Sequence, residues 1–218
     1  MVDIPIILRL RKSEYKNLAT AQDMIVETLF EIFTDAVLHG GTAIWRCYNG
    51  NRFSEDIDAY IGRDLEKLNL FFETLKRKGF FLEKKKINEN SIFSTLKFSR
   101  TLIRFEALFK KVNGTLKEYE KVNGSLSSVY TLTPEELINE KIAAYLNRLK
   151  SRDLYDIFFL LRHVRNDAFV KDSLNKLIKG FKYPIDEKGL HSLILEGLTP
   201  TSEKMLNYIV DWNTHGKN

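Results

Sequence analysis

The sequence predicts an α/β fold followed by a helical part, and three patterns carry this prediction. Strand-like and helix-like segments alternate over residues 13–79. Residues 80–132 are rich in strand-like runs, which are separated by turns containing Asn and Gly. The stretch Thr133 to Glu136 resembles a capping box, and the pattern after it is helical. We therefore expect an α/β domain over residues 1–133 and a helical domain over 134–218.

The individual elements follow from spacing and from start and stop signals. Apolar residues recur every three or four positions from Ser13 to Phe33, which is typical of an amphipathic helix. A short strand is expected in AVLHGG, a short helix from Thr42, and a strand in DIDAYIG. Asp64 is a candidate N-cap for a helix that ends at Gly79. Further strands are expected at 80–87, 92–99, 102–110, 116–121 and 128–132, and helices at 134–149, 152–164, 167–179, 187–196 and 201–212.

Composition narrows the class of protein. With 218 residues and 44% hydrophobic content, the chain can bury a sizeable core and is not a disordered tail. It has no long apolar run and no recognisable signal peptide, so we expect a cytoplasmic protein without a membrane partner. The single cysteine, Cys47, excludes an internal disulfide and a cysteine zinc site. The net charge of +5 permits an anionic partner, but lysine clusters such as 84–86 become evidence only when the fold brings them together.

Two aspartates in the DIDAYIG strand point to metal chemistry. Because side chains alternate along a strand, Asp56 and Asp58 share one face, where their charges repel unless a divalent cation lies between them. Hard oxygen ligands suit Mg²⁺ or Mn²⁺. Glu106 is polar within the apolar strand TLIRFEALF; if that strand lies beside the first, Glu106 completes a three-carboxylate site for nucleotidyl transfer. The alternative is an edge-strand glutamate paired with Arg104 or a nearby lysine.

The glycines before this strand suit a bound phosphate. Gly40 and Gly41 permit a tight turn, and the backbone N–H groups of a helix starting near Thr42 can point at a phosphate. A Gly-Gly-Thr turn alone is weak evidence. Its position, with thirteen residues between Thr42 and Asp56, makes the combination more specific.

A second charged group lies in the helical part. Lys141 and Arg148 fall on one face of the predicted helix with a small residue between them, which suits a triphosphate. Asp153 and Asp156 lie one turn apart on the flank of the next helix. The alternative is an ordinary ion-pair network, in which Arg152 pairs with Asp156 four residues on.

Two blocks of the sequence resemble a known family. GGTAIWRCYNGNRFSEDIDAYI carries the Gly-Gly turn, short helix and Asp-x-Asp strand of the DNA polymerase beta superfamily, and resembles the corresponding block of the AbiEii/AbiGii toxin family. EKIAAYLNRLKSRDLYDIFFLL resembles the second diagnostic block of that family. The resemblance implies a polymerase beta-like nucleotidyltransferase core with a mixed sheet, followed by a helical bundle that completes the nucleotide site.

The resemblance also implies a function. It suggests a metal-dependent toxin of a toxin–antitoxin system, which transfers a nucleotide from an NTP to an acceptor such as the tRNA 3′ end and is controlled by an antitoxin. The implied catalytic residues are Asp56, Asp58, Glu106, Lys141 and Asp153, and the implied nucleotide-binding residues are Gly40, Gly41, Thr42, Ser54, Lys141, Arg148 and Asp156. Two alternatives stay open: transfer to a protein or a small molecule such as an antibiotic, and a non-catalytic nucleic-acid-binding module on the same fold.

Overall fold

The computed structural model describes residues 4–216, which divide into two units. The first unit contains residues up to 49 together with 54–131, and the second contains 50–53 together with the residues from 132 onward. The helices of the first unit are α1 (Ile6–Arg9), α2 (Ser13–Ile32), α3 (Gly40–Cys47) and α4 (Leu65–Arg77). Its strands are β1 (Val37–His39), β2 (Ile57–Ile61), β3 (Phe80–Ile87), β4 (Ser91–Phe98), β5 (Thr101–Phe109), β6 (Thr115–Glu120) and β7 (Leu126–Thr131).

The strands of the first unit form one mixed sheet in the order β3-β4-β5-β2-β1-β7-β6. The pairs β2–β5 and β1–β7 are parallel, and the remaining neighbours are antiparallel. The β-rich stretch therefore contributes five strands, each within two residues of its predicted bounds. The predicted α/β fold with a mixed sheet is confirmed.

The two faces of the sheet differ around β5. Ile103, Phe105 and Ala107 are buried, and the Phe105 ring lies 4.9 Å from that of Phe71 in α4. Helix α2 packs against both α4 and β5, so this face holds the core of the unit. We call the opposite face, which carries Arg104 and Glu106, the outer face. Burial of each large apolar side chain contributes about 1.5–3 kcal/mol, which fixes which face of β5 turns inward.

Local signals explain where several elements begin and end. The side chain of Asp64 accepts a hydrogen bond from the Lys67 backbone N–H at 3.0 Å, which confirms the predicted N-cap of α4. Two predicted starts were wrong: α3 begins at Gly40 rather than Thr42, and β2 begins at Ile57, so Asp56 precedes the strand. Helix α1 was not predicted, because four residues are too few to show a helical period.

The second unit is helical. It contains α5 (Pro134–Arg148), α6 (Ser151–Leu160), a 3₁₀ turn (Leu161–His163), α7 (Ala168–Lys179), α8 (Glu187–Leu190) and α9 (Ser202–His215). The capping box at the start of α5 is confirmed: the hydroxyl of Thr133 accepts from the Glu136 backbone N–H, and the Glu136 carboxylate accepts from the Thr133 backbone N–H. Within residues 4–216, no helix combines the length and the apolar character needed to cross a membrane.

The predicted helix over 187–196 was wrong beyond Leu190. The chain after α8 pairs with residues 50–53 instead: Phe53 donates a backbone hydrogen bond to Leu193, and Leu195 donates one to Asn51, each at 2.8 Å. These bonds use backbone groups that a longer helix would have needed. Residues 50–53 therefore belong to the second unit, although the sequence pattern placed them within the first part of the chain.

Candidate active site

Strand pairing brings Asp58 and Glu106 side by side. The two residues are Cα partners in the parallel pair β2–β5, and His39 of β1 is the partner of Asp58 on its other side. Both acidic side chains lie on the outer face and are partly buried. Neighbouring strands are about 4.8 Å apart, so two carboxylates in register can coordinate one ion.

The third predicted carboxylate has a different partner. Asp56 accepts two hydrogen bonds from the Arg104 guanidinium, from Nε to Oδ1 at 2.8 Å and from Nη2 to Oδ2 at 2.6 Å. The hydrogen bond to Asp56 is the main cause that raises the pKa of Arg104. Arg104, considered above as a partner of Glu106, is thus the counter-ion of Asp56. Among residues 4–216, no three acidic, histidine or cysteine side chains already converge as a metal-binding group.

Gly40 makes room for the Asp58 carboxylate. Its φ angle is +70°, and a Cβ atom at this position would overlap Asp58 Oδ2 and lie 3.0 Å from Cγ. Helix α3 begins at this glycine, so the Asp58 carboxylate lies beside the helix N-terminus, where a negative charge is favourable. The conformation and the space at residue 40 both require glycine.

The other predicted residues of the first unit lie in the same segments. Gly41 and Thr42 are buried in the first turn of α3, and the Thr42 hydroxyl donates a hydrogen bond to the Asp56 backbone carbonyl. Ser54 is buried, and its backbone carbonyl accepts from the Gln22 amide at 2.8 Å. These bonds fix the segment that carries Asp56 against α2 and α3.

The donor set fits a divalent cation of the magnesium type. Asp58 and Glu106 supply hard oxygen ligands from adjacent strands, and Gly40 leaves the space in which the Asp58 carboxylate sits. Asp56 can add a third carboxylate once Arg104 releases it. Two partly buried carboxylates in register repel each other, which a bound cation would relieve.

The predicted residues of the second unit form an ion-pair cluster with one another. Lys141 Nζ lies 2.7 Å from Asp156 Oδ2 and 3.5 Å from Asp153 Oδ1. Arg148 binds Asp153 through two hydrogen bonds of 2.7 Å, and Arg52 binds Asp156 through two of 2.8 Å. Two carboxylates thus hold three cations, and the cluster has a surplus of one positive charge.

The two carboxylates of this cluster are buried, so they stay charged only because cations contact them. Asp153 and Asp156 are 0% and 1% exposed. Burial alone would raise the pKa of Asp156, but Arg52 and Lys141 outweigh it and hold that pKa below its usual value. Burial alone would lower the pKa of Arg52, yet Asp156 keeps it raised. The pair is therefore fully charged at neutral pH.

Arg52 was missed as a site residue. The partners that the structure gives to Asp156 are Arg52 and Lys141, rather than the Arg152 that the four-residue spacing suggested. Arg52 stands in the first family block, two residues before Ser54, and that position was the available signal.

Comparison with known proteins decides the family. Residues 27–199 match the family described as "Nucleotidyl transferase AbiEii toxin, Type IV TA system". The chain belongs to this AbiEii family. The matched residues of this AbiEii chain include the carboxylates of the first unit and the ion-pair cluster of the second. The family prediction is confirmed.

Solved structures support the fold of the AbiEii chain. MenT4, a nucleotidyltransferase toxin from Mycobacterium tuberculosis H37Rv, superposes with a TM-score of 0.66 and 17% identity, covering 99% of this chain and 91% of its own. JHP933 from Helicobacter pylori gives a TM-score of 0.64 and 20% identity, covering 93% and 91%. No curated protein sequence matches the AbiEii chain.

Proposed function

We propose that this AbiEii-family protein is a metal-dependent nucleotidyltransferase that moves a nucleotide from an NTP to a nucleic-acid acceptor such as the tRNA 3′ end. A cognate antitoxin protein is the expected partner. The observation that supports this proposal most strongly is the register of Asp58 with Glu106 beside the start of α3, because two carboxylates on adjacent strands suit a cation that binds phosphate.

The first unit would supply the reacting centre. Asp58 and Glu106, joined by Asp56, would hold Mg²⁺ or Mn²⁺, which when bound polarises phosphoryl oxygens and neutralises their charge. The oxygen of the acceptor hydroxyl forms a bond to the α-phosphorus, the bond from this phosphorus to the bridging oxygen breaks, and pyrophosphate leaves. Glu106 would accept the hydroxyl proton. Gly40, Gly41 and Thr42 offer backbone N–H groups to the phosphates.

The cluster of the second unit would supply cations for the triphosphate. Its surplus positive charge resides on two side chains that retain some exposure, namely Lys141 at 9% and Arg148 at 42%. Asp153 and Asp156 fix their orientation, since each carboxylate contacts two cations. A rigid pair of cations with spare charge suits a polyanion better than flexible surface lysines would.

The test is label transfer with a matched pair of variants. Purified protein is incubated with Mg²⁺ and each labelled NTP in turn, against total tRNA, a protein extract and no acceptor. We expect label on RNA, and Asp58→Asn should lower the rate at least about a hundredfold, because it removes a charged ligand of the cation that would neutralise the phosphoryl oxygens. Asp35→Asn, at an exposed position in the same unit, should keep the wild-type rate.

The outcomes separate the alternatives. Label on protein bands alone would favour a protein acceptor, and label on no macromolecule with product in the small-molecule fraction would favour a small-molecule acceptor. If wild-type protein transferred no label under any condition, the non-catalytic alternative would replace the proposal. Full activity of a folded Asp58→Asn variant would remove Asp58 from the mechanism.

A further inference from the structure

One row of side chains on the outer face leads from the edge of the sheet to the two carboxylates. Lys86 of β3 is the partner of Phe93 in β4, Phe93 is the partner of Glu106 in β5, and Glu106 is the partner of Asp58 in β2. Paired residues of a sheet point to the same side, so all four side chains lie on the outer face. Three strand spacings separate Lys86 from Asp58, which is about 14 Å.

A second row runs parallel to the first. Lys84 of β3 is the partner of Thr95, and Thr95 is the partner of Arg104 in β5. The ammonium group of Lys84 lies 5.4 Å from the centroid of the Phe93 ring, which confirms that Lys84 and Phe93 share a face. We call Lys84, Lys86 and Phe93 the β3–β4 strip.

The strip lies at an exposed edge of the sheet. Strand β3 is the terminal strand, and every one of its residues after Phe80 is exposed, including Phe81 at 69%. Phe81 pairs with Lys97 on the same outer face, and Glu83 lies 3.9 Å from the Lys97 ammonium. The two lysines and the aromatic ring of the strip thus lead to Glu106, and the exposed Phe81 ring lies on the same face of β3.

This combination fits a single-stranded polynucleotide. Proteins that bind single strands combine cations for the backbone phosphates with aromatic rings on which bases stack. Resting on the proposed nucleotidyl transfer, we propose that the β3–β4 strip binds the single-stranded end of the nucleic-acid acceptor. Lys84 and Lys86 contact backbone phosphates, Phe93 stacks on a base, and the terminal hydroxyl lies at Glu106 and Asp58.

The strand contains its own control residue. Lys85 lies between the two strip lysines but points to the opposite face, where its ammonium group is 5.2 Å from the centroid of the Phe72 ring in α4. Lys85→Gln therefore removes one positive charge from the same strand without touching the strip, and it is the matched control for each single variant, Lys84→Gln and Lys86→Gln. If only the net charge of the protein matters, replacing any of the three lysines weakens RNA binding equally. If the β3–β4 strip binds the RNA, only the replacement of Lys84 or Lys86 weakens it.

The experiment measures RNA binding by the full chain without NTP. Fluorescence anisotropy of a labelled single-stranded RNA of about twelve nucleotides gives Kd at several salt concentrations. We expect K84Q/K86Q to weaken binding roughly tenfold and to reduce the salt slope by about 1.4, since each lost phosphate contact contributes about 0.7. Phe93→Leu should weaken binding at least about fivefold through lost stacking. Lys85→Gln should stay within about twofold of wild type.

The inference is overturned if K84Q/K86Q binds RNA as K85Q does, or if wild-type protein does not bind the RNA. Thermal unfolding of each variant identifies any loss of binding that comes from misfolding. K84Q/K86Q changes two exposed positions and should have the same Tm as the wild type. Failure of the proposed function has a separate signature, which is the absence of label transfer to every acceptor. Label transfer confined to proteins would also overturn the assignment of this strip to an acceptor strand.

Discussion

Replacing Asp156 with Asn tests whether the buried cluster stabilises the second unit. The substitution keeps the shape of the side chain but removes its charge. Asp156 accepts three short hydrogen bonds, two from Arg52 at 2.8 Å and one from Lys141 at 2.7 Å. Asp153 still holds Lys141 and Arg148 in the variant, so Arg52 is the cation left without a carboxylate.

The expected cost follows from this count of partners. Arg52 is only 5% exposed in its side chain, and the surplus charge of the cluster rises from one to two. Leaving one partner of a buried ion pair uncompensated costs about 3–5 kcal/mol of the free energy of unfolding. For a chain of this size, each 1 kcal/mol lowers the Tm by about 2–4 °C, so the Tm should fall by about 10 °C.

Denaturant and thermal unfolding of the two proteins measure the effect directly. Asp172→Asn, at an exposed position of α7, is the matched control and should change the free energy of unfolding by less than about 0.5 kcal/mol. The double variant R52M/D156N should cost less than the sum of its single variants by at least about 1 kcal/mol, because the two residues contact each other. Equal stability of Asp156→Asn and Asp172→Asn, or strict additivity in the cycle, would refute this account of the cluster.

Gly40 and Asp156 each give a further prediction. Gly40→Ala should reduce label transfer at least about tenfold, since a Cβ atom displaces the Asp58 carboxylate and a residue other than Gly costs about 1–2 kcal/mol at φ +70°. Gly62→Ala is the control, because nothing lies within 4 Å of the added atom, and equal activity of the two variants would contradict the role of Gly40. The lowered pKa of Asp156 means that its contribution to stability is complete above the unfolded-state value of about 3.9 and is lost as the pH falls through the lower folded-state value. A Tm series from pH 7 to pH 3 should therefore fall less steeply at its acid end for Asp156→Asn than for wild type, and parallel curves would show that Asp156 does not contribute.

The predictable features of this chain are those with short-range signals. The helices that begin at Ser13 and Pro134 could be predicted from residue spacing and capping signals. The strands within 80–132 could be predicted from alternating side chains and from the turns between them. The shared face of Asp58 and Glu106 could be stated only as a condition, because parallel neighbours are far apart in sequence and the sheet order decides them.

The features that escaped prediction depend on distant partners. Arg52 meets Asp156 across 104 positions, and no local spacing reports such a pair. Asp56 was expected to face a metal, yet it also has a guanidinium within reach because the register brings Arg104 next to it. The helix expected after Asp186 stopped early because residues 51–53 compete for its backbone groups. Each case is a long-range contact that overrides a local preference.

The pairing of Arg104 with Asp56 has a consequence for how the protein would be loaded. The guanidinium acts as a resident cation that occupies Asp56 through two charge-assisted hydrogen bonds. Under the proposed function, a metal that binds Asp56 replaces the Arg104 guanidinium, so Asp56 has a positively charged partner both before and after metal binding. Under this proposal Arg104 balances the charge of Asp56 until a metal binds, and Asp56 becomes available when the Arg104 side chain releases it.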